Sequence, residues 1–131
     1  MTEEQKKTVE IFNVYLKDRK AEKLILYGTG VNAEAVVKYC KGFQIAGLMD
    51  AAKTGETLWG LRVLSYEEVL EIGVKCVVVV ARPAVHTIIY RRIQSWSEEN
   101  GIFVCDIYGT NLADKIKKRK SDMPYFNLSY E

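Results

Sequence analysis

The stretch Leu24-Ile25-Leu26-Tyr27-Gly28-Thr29-Gly30-Val31-Asn32-Ala33-Glu34-Ala35 decides how this chain folds. Leu24 to Tyr27 is apolar without alternation, as a strand covered on both faces requires. Two glycines then interrupt the run. Beyond them Ala33, Val36, Val37 and Cys40 recur at i, i+3, i+4 and i+7, which predicts a helix over residues 31–41 whose apolar stripe packs back on the strand. Gly42 ends it.

The same alternation continues on either side. Val9, Phe12 and Leu16 at helical spacing predict an added N-terminal helix over residues 3–19. Phe43 to Met49 reads as a second strand that ends at Asp50, "AAKTGETLWG" as a loop, and "LRVL" (residues 61–64) as a short third strand. Ser65-Tyr66-Glu67-Glu68 has capping-box spacing and starts a helix over residues 66–71. Lys75 to Ala81, with four consecutive valines, is the strongest strand signal. Pro83 suits the first turn of the next helix, whose buried stripe is Val85, Ile88, Ile89, Ile93 and Trp96. "IFVCDIYG" (residues 102–109) is the last strand. Helices between successive strands predict an α/β fold, a doubly wound and mostly parallel sheet of about five strands covered on both faces.

Composition sets the outer bounds. The 131 residues, 48% of them hydrophobic and 27% charged, describe an ordinary globular domain and exclude a disordered or collagenous chain. The net charge of +2 owes its sign to the run Lys115, Lys117, Lys118, Arg119 and Lys120. The rest of the chain is net acidic, which argues against a nucleic-acid-binding face. The run itself reads as a solvated basic linker over residues 113–131. Cys40, Cys76 and Cys105 lie far apart beside apolar segments and read as core residues. The polar opening "MTEEQKKTVE" has no apolar signal region, and the longest apolar run, Cys76 to Ala81, falls short of the ~20 residues that span a bilayer. A cytoplasmic setting without a membrane partner is expected.

The placement of the glycines argues for a ligand. In a dinucleotide fold the first strand feeds a tight turn, and a pyrophosphate sits against the N–H groups that open the next helix. Gly28-Thr29-Gly30 has that placement, since glycine tolerates φ > 0 and lets an anion approach the backbone. Thr29 and Asn32 add side-chain donors beside the N–H groups of Val31 and Asn32. The fingerprint also needs an acid at the end of the second strand to accept from ribose hydroxyls. Asp50 stands 22 residues beyond Gly28, close to the usual ~20. A carboxylate there favours a 2′-hydroxyl nucleotide over a 2′-phosphate, although Lys53 opposes that. Ala33 takes the place of the third glycine, which needs only to be small. The bland alternative is a domain of the same shape whose turn is only a turn.

"LILYGTGVNAEAVVKY", "IAGLMD", "GLRVLSYEEVL" and "VKCVVVVAR" together resemble the small Rossmann-like domains that precede catalytic domains in bacterial sugar-nucleotide and surface-polysaccharide enzymes. These include the "CoA-binding-like" domains of polyprenyl-phosphate sugar transferases and the N-terminal domains of sugar-nucleotide acetyltransferases. The resemblance covers residues 23–112. It implies a Rossmann-like fold and, as ligand, a nicotinamide dinucleotide (NAD) or a nucleotide sugar, while some related domains have no established ligand. Only the glycine turn and Asp50 carry over. Near the end, "MPYFNLSYE" is similar to the linker before haloacid-dehalogenase-like hydrolase domains, and Ser129 looks like an N-cap whose helix is missing. A downstream domain of the same polypeptide is therefore expected.

Several other residues have a role to settle. Arg82 follows the fourth strand at the edge where open α/β sheets bind ligands, so it either meets a phosphate or reaches solvent. His86, the only histidine, lacks both a metal-ligand partner and a visible orienting acid. Asp106 lines the same edge or caps a turn. Tyr108 and Tyr125 leave a partner surface, such as a homodimer contact, open. Two functions remain: a non-catalytic nucleotide-binding module, or a structural and docking domain without ligand. A complete dehydrogenase would need a substrate domain for which this length leaves no room.

Overall fold

The computed structural model describes residues 1–122, with side chains to residue 117; Tyr125 and the Ser129 helix start lie outside the described residues. Helix α1 (Glu3–Tyr15) begins in a complete capping box, with Thr2 Oγ1 accepting from the Gln5 N–H and Gln5 Oε1 from the Thr2 N–H. It ends in a 3-10 turn over Lys17–Arg19. Strand β1 (Lys23–Tyr27), helix α2 (Val31–Tyr39) and strand β2 (Gln44–Met49) follow. A small hairpin, β3 (Thr57–Leu58) and β4 (Leu61–Arg62), leads to α3 (Tyr66–Ile72), β5 (Cys76–Val79), α4 (His86–Glu99), β6 (Phe103–Cys105) and α5 (Leu112–Asp122).

The main sheet has the order β2–β1–β5–β6 and is parallel throughout. Side-chain alternation along β1 divides the core. Leu24 and Leu26 face Phe12 of α1, Leu16 just past its end and Val36 of α2, whereas Ile25 and Tyr27 face Val69, Ile89 and Ile93 of α3 and α4. Each face is covered, which is why β1 and β5 read as unbroken apolar runs. The fold is the expected doubly wound α/β sheet with an added N-terminal helix. Cys40, Cys76 and Cys105 are buried free thiols, and burial pushes the Cys40 thiol up to about 11.

Three segments differ from the sequence reading. "LRVL" is no full member of the sheet: Leu61–Arg62 pairs back on Thr57–Leu58, and only an isolated Leu48–Val63 bridge and a 2.8 Å bond from the Leu64 N–H to the Leu48 carbonyl reach β2. The hairpin demands that geometry, because Trp59 (φ 51°) and Gly60 (φ 79°) form the two-residue left-handed turn that reverses the chain at once. Gly47 makes room for it, since a Cβ there would lie 2.6 Å from Leu64 Cδ1. The last strand stops at Cys105, where Asp106 Oδ1 accepts from the N–H groups of Tyr108 and Thr110 and folds the chain into a turn. The basic segment, for which the sequence reading gave no element, is helical in α5 from Leu112 to Asp122, anchored by buried Leu112 and by Ile116 packed against the α3/α4 side of the core.

The strand order sets the position of a cleft. From β1 the chain passes outward to β2, returns across the sheet, and continues outward on the other side through β5 and β6. Helices α2 and α4 therefore leave neighbouring strands on opposite faces, and a crevice opens at the carboxyl ends of β1 and β5.

Candidate functional site

Gly28 forms the floor of the crevice. Its N–H donates to the Met49 carbonyl at 2.9 Å, while the Val80 N–H donates to the Tyr27 carbonyl at 3.0 Å, so three strand ends are drawn together there. Its φ is +130°, and a Cβ would lie 3.3 Å from Val80 Cγ2 and 3.4 Å from the Ala81 nitrogen. Conformation and space both require glycine at this point.

Gly30 is different, and here the sequence expectation needs correcting. Its φ of −89° with ψ of −166° is extended backbone that any residue adopts. What glycine provides is openness: a Cβ would meet nothing within 4 Å. Gly30 is the N-cap of α2, and no side chain caps the first turn. The unpaired N–H groups that every helix start carries therefore face the crevice, at the positive end of the helix dipole.

Asp50 lines the same cleft. Thr29 Oγ1 donates to its Oδ2 at 2.7 Å, and the Ala52 N–H donates to its Oδ1 at 2.9 Å. Two bonds from different loops fix the carboxylate beside the glycine turn, whose middle residue is Thr29. Each oxygen keeps acceptor capacity, since a carboxylate takes about four donors. Thr29 is thus committed to positioning Asp50 and contributes its hydroxyl there rather than as a free donor.

All seven residues that the sequence nominated, Gly28, Thr29, Gly30, Val31, Asn32, Asp50 and Arg82, line one cleft of about 580 Å³. Two of them are already engaged by an unanticipated partner. Glu4 of α1 accepts from Asn32 Nδ2 at 2.8 Å and from Arg82 Nε and NH2 at 3.0 Å each. The Arg82 guanidinium, and after it the Asn32 amide, holds the Glu4 carboxyl below its ordinary range. Gln5 Nε2 adds a 3.1 Å bond to the Val31 carbonyl, so the first turn of α1 is tied directly to the first turn of α2.

The apolar wall departs from the sequence reading. Val85 and Ile88, expected in the buried stripe of the Pro83 helix, are 40% and 59% exposed; Ile89 and Ile93 carry the packing instead. Pro83–Val85 forms a 3-10 turn that swings this edge outward before α4 begins. Val85, Ile88 and Ile89 then line the cleft opposite Ala51 and Ala52, with Arg92 at the far end donating to the Tyr27 hydroxyl at 3.3 Å.

His86 and Asp106 lie elsewhere. A smaller cavity of about 180 Å³ sits over the ends of β5 and β6 and is lined by Glu4, Arg82, His86, Asp106 and Lys115. His86, 4% exposed, has Nε2 at 2.7 Å from the Ala81 carbonyl and Nδ1 at 3.3 Å from Lys115 Nζ. Donation from Nε2 to the carbonyl leaves Nδ1 as acceptor for the ammonium. Lys115 Nζ donates in turn to Asp106 Oδ2 at 3.0 Å. Asp106 thus both caps its turn and pairs with Lys115.

Among the described residues no group of three or more His, Cys, Asp or Glu could hold a metal ion, and no helix is long and apolar enough to cross a membrane. No protein-family model matches the chain, and no curated protein matches it either.

Proposed function

We propose that this domain binds a nucleotide-type ligand, NAD-like or a nucleotide sugar, in the cleft between the glycine turn and Asp50. The diphosphate lies over the open start of α2, the ribose hydroxyls donate to Asp50, and the base rests between Ala51–Ala52 and Val85–Ile88. One observation carries the reading: an uncapped helix start and a fixed carboxylate line a single cleft of about 580 Å³. That volume lies within the ~300–1,000 Å³ of ligand pockets, which are mostly apolar with a few placed polar groups.

The domain holds its ligand rather than transforming it. The one histidine is tied to Ala81 and Lys115 in the neighbouring cavity. By its resemblance to the domains of sugar-nucleotide and polysaccharide enzymes, we read it as a binding module of a larger protein of that kind, serving a domain downstream.

A second reading has its own support. Val31, Val85 and Ile88 stand exposed around the rim, as they would on a docking surface without ligand. Thermal unfolding with ADP, UDP, NAD, a nucleotide sugar and coenzyme A separates the two. A ligand at 100 times its dissociation constant stabilises by about 2.7 kcal/mol. A shift with at least one of them is expected; no shift with any would leave the docking reading standing.

A further inference from the structure

A dinucleotide lies across both halves of a doubly wound crevice, one nucleoside on each side of the glycine turn. The two halves differ here. On the β1–β2 side the cleft is open, about 580 Å³ between Asp50 and α4. On the β5–β6 side the first turn of α1 lies at the mouth. Glu4 bridges Asn32, in the first turn of α2, to Arg82, at the end of β5, through three hydrogen bonds of 2.8–3.0 Å. Behind that bridge lies the separate cavity of about 180 Å³, below the ~300 Å³ of even small ligand pockets. Its floor is already cross-linked, Lys115 to Asp106 and to His86.

We infer that the Glu4–Arg82 bridge is a specificity-determining gate that restricts the site to one nucleoside diphosphate unit and excludes the second nucleoside of a dinucleotide. The inference rests on the nucleotide reading above and narrows it. Two physical effects act together. The bridge occupies the path that a second ribose would follow beyond the diphosphate. It also ties Asn32 and Arg82 together, so a longer ligand must both displace Glu4 and break the three hydrogen bonds that Glu4 accepts from them. A single nucleoside diphosphate ends before the bridge and meets neither obstacle. Glu4 is on the exposed side of α1, whose hold on the domain comes from buried Val9, Phe12 and Leu16. Its removal therefore opens the gate without unfolding the helix.

Base-matched probes, one purine pair and one pyrimidine pair, test this. Isothermal titration compares ADP with P1,P2-diadenosine diphosphate, and UDP with P1,P2-diuridine diphosphate, in the unaltered chain, in Glu4→Ala and in a Glu3→Ala control. For the base that binds, the dinucleotide is expected to be weaker by about tenfold or more, a difference of about 1.4 kcal/mol. Glu4→Ala should bring the pair close to equal affinity, and Glu3→Ala should not. A dinucleotide that binds the unaltered chain as tightly as its nucleoside diphosphate overturns the gate while leaving the nucleotide reading intact. So does a gap that Glu4→Ala leaves unchanged. If none of the four probes binds, the nucleotide reading fails and the gate with it.

Discussion

Helices α2 and α3 solve the same problem in opposite ways. Each begins with N–H groups that have no partner inside the helix. At α3, Ser65 Oγ accepts from the Glu68 N–H at 3.1 Å and Glu68 Oε1 reaches back to the Ser65 N–H at 3.2 Å. Arg62 then pairs with Glu68 at 2.8 Å, so the acid at this helix start is turned inward and neutralised. At α2 the N-cap is Gly30, no side chain closes the turn, and the nearby acid, Asp50, is held beside it by Thr29. A chain able to write a complete capping box at α1 and α3 omits it where a cleft opens. The difference leaves polar backbone groups open at α2 and satisfied at α3, which is the contrast that the nucleotide reading uses.

The largest effect expected is on binding at the open start. Gly30→Glu places a carboxylate where a ligand phosphate would lie, in space that holds no other atom. Affinity for the nucleoside diphosphate should fall by about 100-fold, or ~2.7 kcal/mol, in titration calorimetry, with the melting temperature little changed. Undiminished affinity would move the ligand away from α2. The floor of the turn behaves differently. Gly28→Ala forces a side chain into φ +130° and against Val80 and Ala81, so the fold itself should lose about 1–3 kcal/mol in denaturant unfolding. A neutral result there would mean that Gly28 is as free as Gly30.

The closed start should respond in stability alone. Ser65→Ala removes one half of the box and should cost about 1 kcal/mol without altering ligand affinity. Its acid gives a pH signature. Arg62, and after it Ser65, lowers the Glu68 carboxyl to about 2 from an ordinary 4.5. A depressed folded value stabilises the fold fully above the unfolded value and loses that contribution as pH falls from about 4.5 toward 2. Melting curves across that window should steepen their fall relative to Glu68→Gln, and parallel curves would show that the pair contributes nothing.

How much of this was legible follows from what each signal depends on. Ser65-Tyr66-Glu67-Glu68 and Leu24-to-Tyr27 are local patterns, so the α3 cap and the buried strand could be read directly. Gly28 through Asn32 and Asp50 fall in one cleft because a parallel strand order brings neighbouring strand ends together, and alternation of elements sufficed to anticipate that order. Glu4 was out of reach: its partner Arg82 is 78 residues away, and nothing in "TEEQ" distinguishes Glu4 from Glu3 beside it. Val85 and Ile88 were misplaced because periodicity tells which residues share a helix face and not whether that face meets core or cleft. Similarly, "LRVL" has strand composition, but the Trp59–Gly60 turn commits its first half to a hairpin before β2 can pair with it.

The smallest expected effect is the sharpest discriminator between the two helix starts. Gly30→Ser writes into α2 the hydroxyl half of the cap that α3 already has, since Ala33 stands where α3 has Glu68. The backbone at Gly30 is extended, as at Thr2 and Ser65, so serine brings no conformational strain. Its hydroxyl can accept from the N–H groups two or three residues on, and serine restricts the unfolded chain more than glycine does. Both effects favour the folded state, and together they should raise stability by a few tenths of a kcal/mol, ~0.3–0.5, because glycine is itself a tolerable cap. Ligand affinity should move the opposite way, since the hydroxyl now occupies N–H groups that the phosphate would otherwise receive. Gains in stability paired with losses in binding at one position would mark the open turn as kept for a ligand. A substitution that stabilises the fold and leaves binding intact would instead make Gly30 an ordinary, improvable helix start.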